Sequence, residues 1–241
     1  MQGALSATQD QIALVVTFNI VATAVATPTT GWLTARFGQR RVLLTCVTLF
    51  TIATLMCGFS DSLTTLVFFR VLQGLCGAPL APLSQAIVLA SYPQSKHGTA
   101  TSIFGMGVVL GPLIAPTIGG YLSEEYSWRW VFFMIVPMGM ASLLGCWVFV
   151  ADGVRAARIR LDWTGFLALS VAIACFQLLL DRGERNSWLE STEIVLEICL
   201  AALCFYIFIV HTFTADKPFL NPRLFLDRNF ALGCLTAFAM G

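Results

Sequence analysis

Apolar runs follow one another along this chain, separated by short polar loops. They cover Ile12–Leu33, Val42–Phe59, Leu63–Ala90, Thr99–Leu122, Trp130–Ala151, Trp163–Leu180 and Ile194–Phe213. At ~1.5 Å of rise per residue, runs of this length form helices matched to a ~30 Å hydrocarbon core. An eighth run starts at Phe230 and stops at Gly241, too short to cross. The pattern predicts an all-α membrane protein: a partial helical bundle of seven complete transmembrane helices plus the start of an eighth, in a chain that looks incomplete at its C-terminus.

The third run is the most informative. Its 28 residues carry one charge, Arg70. A charge inside a span costs at least ~2.5–3.5 kcal/mol on insertion scales, so it turns to a water-filled cavity or a partner. Arg70, Gln73, Gly74, Gly77, Ala81, Ser84 and Gln85 fall at helical spacing on one face, and the other faces are Leu, Val and Phe. A polar, small-residue stripe is therefore expected to face the bundle interior. The plainer alternative is that Arg70 only ties helices together. The first run carries Asn19, Thr23, Thr27 and Thr30 near helical spacing, which suits interhelical hydrogen bonding or, alternatively, the lining of a substrate path.

Composition agrees with the pattern. Hydrophobic residues make up 57% of the chain and charged residues 11%, where soluble domains have ~25% charged. The net charge of +1 argues against a nucleic-acid partner. The eight cysteines form neither a C-x-x-C pair nor a Cys/His cluster, so no metal site or disulfide framework is indicated. There is no G-x-x-x-x-G-K-[ST] loop for a nucleotide. No cofactor is expected, and the chain does not read as an enzyme.

The basic residues orient the spans. Loops that alternate sides divide into a set of ten (Arg36, Arg40, Arg41, Lys96, Arg155, Arg158, Arg160, Lys217, Arg223 and Arg228) and a set of three (Arg129, Arg182 and Arg185). The ten mark the cytoplasmic side, which puts the chain in the plasma (inner) membrane as a multi-pass protein. Met1 then lies outside, and a helix before it is expected to be missing. Trp128 and Trp130 fall at the outer interface, where aromatic residues anchor spans. Glu193 and Glu197 are read as solvated helix ends and His211 as an interfacial residue. The outer loop 181–193, with Trp188, reads as solvated.

Two stretches carry finer signals. Between the first two spans, Gly31, Arg36, Gly38, Arg40 and Arg41 make a very short basic turn. Gly31 leaves room for a close helix approach, Gly38 can take positive φ, and the arginines can donate to carboxylates or helix C-termini. In the fourth run, Gly111, Ala115 and Gly119 repeat small-x-x-x-small, which permits tight backbone packing. Pro112 and Pro116 each remove a donor and bend the helix. A bent, tightly packed helix suits a hinge or seal.

These residues resemble the major facilitator superfamily. The turn from Gly31 to Arg41 resembles its signature loop G-x-x-x-D-R-x-G-R-R, with Ala35 at the Asp position and Gln39 in place of one Arg. Leu66-x-x-x-Arg70-x-x-Gln73-Gly74 resembles the fourth-helix motif of proton-coupled members. Ser102, Gly111, Ala115, Pro116, Gly119 and Gly120 resemble the fifth-helix antiporter motif, and Trp128-Arg129-Trp130 with Pro137-x-Gly139 the opening of the sixth helix. Asp162-x-x-Gly165 and Leu180-Asp181-Arg182-Gly183 are similar to the EmrB/QacA-type fourteen-helix drug/proton antiporters. The resemblance implies family helices 2 to 9: residues 1–151 as an N-terminal bundle lacking its first helix, 152–215 as two extra linker helices, and 216–241 as a cytoplasmic linker and the start of the C-terminal bundle.

It further implies proton-coupled export of amphipathic drugs by alternating access around a midplane site. Arg70, Gln73 and Gly74 would serve proton coupling and line the cavity. The 31–41 turn would be the signature loop, and Gly111 to Gly120 the gating helix. Expected partners are the lipid bilayer, protons and a small amphipathic substrate, with room for a periplasmic adaptor protein and an outer-membrane channel. Two alternatives stay open: an exporter of another small molecule such as a siderophore or lipid, and a non-transporting membrane scaffold.

Overall fold

The computed structural model describes residues 8–151, 161–184, 188–215, 218–220 and 222–240. Arg155, Arg158, Arg160, Arg185 and Lys217 of the loops lie outside the described residues, as does the polar head of the chain before Thr8. The chain divides into two compact units, Met1–Ile159 and Arg160–Gly241. The described residues are helical, with no strand among them, and seven helical segments are long and apolar enough to cross a membrane.

In the first unit, α1 (Gln9–Ala26) continues through a single 3-10 turn, Thr27–Thr29, into α2 (Thr30–Phe37). Thr8 and Gln11 cap α1 reciprocally. A one-residue turn at Gly38 leads into α3 (Gln39–Phe59). Gly38 has φ 89° and ψ 143°, a conformation that side chains rarely adopt, so the expected positive-φ glycine is observed. The chain continues through α4 (Leu63–Gly77), α5 (Leu80–Ser91), α6 (His97–Glu125) and α7 (Arg129–Phe149). The run expected as one helix, Leu63–Ala90, is interrupted at Ala78 and Pro79. Pro79 and Pro82 have no N–H, which removes two donors of the ladder within one turn.

Packing is concentrated on α1 against α4 and on α3 against both α4 and α7. Small residues set the close approaches. A Cβ at Gly74 of α4 would overlap the backbone oxygen of Asn19 in α1. Likewise a Cβ at Gly139 of α7 would strike Thr51 Oγ1 of α3, and one at Gly58 would strike the Phe133 ring. One apolar cluster joins Val15, Cys57, Leu66, Trp128 and Phe132. A second joins Val42, Leu43, Val47 and Leu83.

Three expectations are corrected here. Trp128 is 7% exposed and packs edge-on against Phe132 in the first cluster, so it is a core residue and not an interfacial anchor. Trp130, at 51%, is the exposed one. Gly31 makes no close approach: nothing lies within 4 Å of where its Cβ would be. Finally, α6 is not tightly packed. It is one unbroken helix of 29 residues with Pro112 and Pro116 inside it, and Ala100 is its one buried residue. Its neighbours touch it mainly near its ends, so the small-residue face meets no backbone among the described residues.

The second unit is an antiparallel pair, α8 (Trp163–Arg182) and α9 (Thr192–Thr214), followed by a 3-10 turn at Pro222–Leu226 and α10 (Arg228–Met240). Polar side-chain contacts fasten both ends of the α8–α9 pair. Arg182 Nη1 lies 2.6 Å from Glu193 Oε1 and 4.0 Å from Glu197 Oε1 at one end. His211 faces Asp162 at the other. Glu197 is accordingly not a solvated end: its side chain is 14% exposed, tucked between the two helices.

Candidate functional site

Within the first unit, α1, α3, α4 and α7 bring polar side chains together around Arg70. The Arg70 Nη1 donates to Gln73 Oε1 at 3.1 Å, one turn further along α4. The amide of Gln73, 4% exposed, donates from Nε2 to Thr54 Oγ1 of α3 at 2.7 Å. Thr54 passes its own proton back to the Phe50 carbonyl at 2.7 Å. From α1, Asn19 Nδ2 donates to the Arg70 carbonyl at 2.7 Å and approaches Gln73 Oε1 at 3.5 Å. Thr23 Oγ1 bonds the Asn19 carbonyl at 2.9 Å and the Gly74 carbonyl at 3.3 Å. The Arg70 guanidinium stands 4.9 Å from the Phe132 ring centroid, a cation–π contact supplied by α7.

Why the chain folds this way locally can be traced. Gly74 has no side chain, so α1 and α4 approach until the Asn19 amide reaches backbone on α4. That approach delivers Asn19 to Gln73 and holds Gln73 towards Thr54. Both polar atoms of the Gln73 amide are thereby engaged, as a buried amide requires. Arg70 is not fully satisfied. Its Nε is buried without a hydrogen-bond partner, and its guanidinium forms no ion pair with a carboxylate among the described residues. The cluster therefore holds a cation with one open donor inside the first unit.

Replacing Thr54 with valine tests the network. It leaves Gln73 Nε2 without an acceptor at constant volume. The expected loss is about 1 kcal/mol, between the ~0.6 kcal/mol average of membrane interhelical hydrogen bonds and the ~1–3 kcal/mol of an orphaned buried polar atom. Thermal unfolding in detergent measures it.

The predicted stripe on the third run is half realised. Arg70, Gln73 and Gly74 turn inward, and a Cβ at Gly77 would stand 3.2 Å from the Phe50 ring. Ser84 is half-buried, while Ala81 and Gln85 are exposed. The break at Pro79 ends the inward face. Thr27 and Thr30 bond back to carbonyls of their own segment, whereas Thr23 also reaches the Gly74 carbonyl of α4.

The basic turn is organised by helix ends and rings. Arg40 Nη2 donates to the Trp147 carbonyl at 2.7 Å, satisfying an orphan acceptor in the last turn of α7. The Arg36 guanidinium lies over Trp32 at 5.2 Å and Phe37 at 5.5 Å. Arg41 is exposed. At the opposite end of the unit, Arg129 Nη2 bonds Asp61 Oδ1 at 2.7 Å and the Ser60 carbonyl at 3.2 Å. The α6 residues Gly111, Pro112, Ala115, Pro116 and Gly120 are exposed, and a Cβ at Gly119 would stand 3.9 Å from the Val131 side chain. The structure does not bring them to the Arg70 cluster.

Thr54 and Phe132 were not singled out by the sequence. A signal existed for Thr54, because Thr48, Thr51 and Thr54 recur every three residues on one face of α3. Each also bonds the carbonyl four residues back. That local bond makes a hydroxyl cheap in a membrane helix, so its presence alone marks no site. Elsewhere, an open apolar cleft of about 430 Å³ runs between α8 and α9, lined by residues such as Leu169, Phe176 and Phe205. It has no polar group to orient a ligand.

The profile of the Major Facilitator Superfamily matches residues 1–240, and the chain belongs to that superfamily of membrane transporters. It is a multi-pass membrane protein, and its family is one of transporters rather than of enzymes. It is 37% identical over 236 residues to the multidrug export protein EmrB of Haemophilus influenzae, covering 97% of this chain and 46% of that protein. The EmrB of Escherichia coli K12 is 38% identical over 234 residues, with 97% and 46% covered. The fatty acid resistance protein FarB of Neisseria gonorrhoeae is 36% identical over 234 residues, again with 97% and 46% covered. The chain thus spans about half the length of these relatives.

Proposed function

We propose that this chain belongs to a plasma-membrane exporter that expels amphipathic drugs or toxins in exchange for protons, working by alternating access. The carrying observation is Arg70, a cation with an open Nε, braced by Gln73 and Phe132 in the core of a superfamily bundle. Arginine stays protonated throughout the working range. It can lower the pKa of a carboxylate that approaches it by ~1–3 units and release it on separating. An acidic side chain on another helix of the intact protein would then load and release one proton per cycle. On this reading residues 1–151 form the first bundle, 152–215 the two extra helices, and 216–241 the connector to the next bundle. The 31–41 turn acts at the cytoplasmic gate, and the exposed small-residue face of α6 is where a second bundle closes. The external loops, including 181–193 around Trp188, would meet a periplasmic adaptor protein that passes cargo to an outer-membrane channel.

Similarity to multidrug export proteins supports the drug reading. FarB, a fatty acid resistance protein, favours a second one in which the cargo is a lipid-like acid. A pump-deficient host expressing the intact gene separates them. Growth is challenged with lipophilic cations, uncouplers and long-chain fatty acids. Raised tolerance to cations and uncouplers supports drug export, and raised tolerance to fatty acids alone supports the second reading. No protection against any of them, with the protein present in the membrane, overturns both.

A further inference from the structure

Where α8 begins and α9 finishes, a single carboxylate holds three segments. Asp162 Oδ1 accepts the Gly165 N–H at 3.0 Å, and Oδ2 accepts the Phe219 N–H at 3.0 Å. His211 Nε2 lies 2.9 Å and 3.0 Å from the two oxygens. An ionised carboxylate has no proton to give, so Nε2 carries the hydrogen and donates. The Asp162 side chain is 13% exposed. Gly165 fits around it, since a Cβ there would overlap Oδ2 and stand 3.2 Å from Phe219 Cβ. The Phe166 and Phe219 rings add a contact at 5.8 Å. Burial raises the Asp162 pKa, but the hydrogen bonds from Gly165, His211 and Phe219 outweigh it and hold the acid below the usual range. The group therefore stays charged at neutral pH.

A helix cap alone asks for one acceptor oxygen. Here the second oxygen is committed as well, to backbone 57 residues further along the chain. The spacing Asp162-x-x-Gly165 acquires a second purpose: the glycine clears space for a carboxylate that grips the main chain beyond α9. We propose that Asp162 is a positioning residue that latches the connector at Phe219 onto the α8–α9 pair, so that connector and pair move as one body in the transport cycle. The transport part rests on the exporter reading, and the latch itself does not.

Asp162→Asn is the discriminating variant. Asparagine keeps the shape and one acceptor, so it still caps α8, but it presents an NH2 group where the Phe219 N–H needs an acceptor. Hydrogen exchange is followed by mass spectrometry on the intact protein in lipid nanodiscs. Amides at Phe219 and Leu220 are expected to exchange about five- to tenfold faster, with those of the first turns of α8 unchanged. Asp162→Ala accelerates both sets. Gly165→Ala, which crowds the carboxylate without removing it, gives the same answer should the others fold poorly. In proteoliposomes, Asp162→Asn is expected to lower the turnover of efflux several-fold with KM unchanged, and His211→Gln, which keeps a donor, to stay near the parent. Unchanged exchange at Phe219 in every Asp162 and Gly165 variant overturns the latch. Faster exchange with parental turnover overturns the positioning role. If the parent moves no substrate, the exporter reading fails and the exchange measurement still decides the latch.

Discussion

Arg70→Ala in the intact protein is expected to abolish substrate-driven proton movement while the protein remains folded and in the membrane. The two halves of this expectation have separate grounds. Arg70 donates to Gln73 and rests on Phe132, but Gln73 keeps Asn19 and Thr54 without it, so the bundle retains its polar network. What disappears is the positive charge and its open Nε. If that charge shifts a carboxylate by ~1–3 pKa units, its removal withdraws at least ~1.4 kcal/mol of coupling, a factor of about ten or more in proton release. Arg70→Lys keeps the charge as a compact ammonium that cannot hold Gln73, cover Phe132 and present a free N–H at once, and should retain only part of the activity. Proton uptake and substrate flux are both read in proteoliposomes. Full coupling in the alanine variant would remove Arg70 from the mechanism.

Gly74→Ala should be the most damaging small substitution in the first unit. The added methyl would overlap the Asn19 backbone oxygen and stand 3.0 Å from both Ala22 Cβ and Thr23 Oγ1. Main chain cannot swing aside as a flexible side chain can. The helices must part, and Asn19 then loses its 2.7 Å bond to the Arg70 carbonyl. Overpacking of this kind costs ~1–3 kcal/mol, with the lost hydrogen bond in addition. The unfolding midpoint in detergent should fall clearly for Gly74→Ala. Gly31→Ala, made at a site with nothing within 4 Å, is the matched control and should leave it in place.

Much of this architecture is written in local patterns. Span positions follow from run length, the Gly38 turn from the need for positive φ between two abutting helices, and the inward direction of Arg70, Gln73 and Gly74 from helical spacing. What escaped depends on which helix lies beside which. Trp128 reads as an interfacial residue by its position at a helix start, yet it is buried because α3 and α4 close over it. Glu197 reads as a solvated helix end, and its burial depends on Arg182 reaching across from α8. Thr54 reads as an ordinary membrane threonine until Gln73 is placed opposite it. The small-residue face of α6 reads as packed, and its exposure shows that a motif for close approach says nothing of what approaches. Asp162 was visible as part of a spaced pair with Gly165, but its grip on Phe219 spans 57 residues, beyond any periodicity.

The pairing of α1 with α4 has a consequence for synthesis. Asn19 finds its acceptor 51 residues later in the chain. At ~5–20 residues per second, the ribosome completes that acceptor about 3–10 s after Asn19 itself. For those seconds the Asn19 amide is without its acceptor on α4. Sheltering α1 until α4 has been made is then a task for the insertion machinery, and slowing translation between the two is expected to appear as degraded nascent protein.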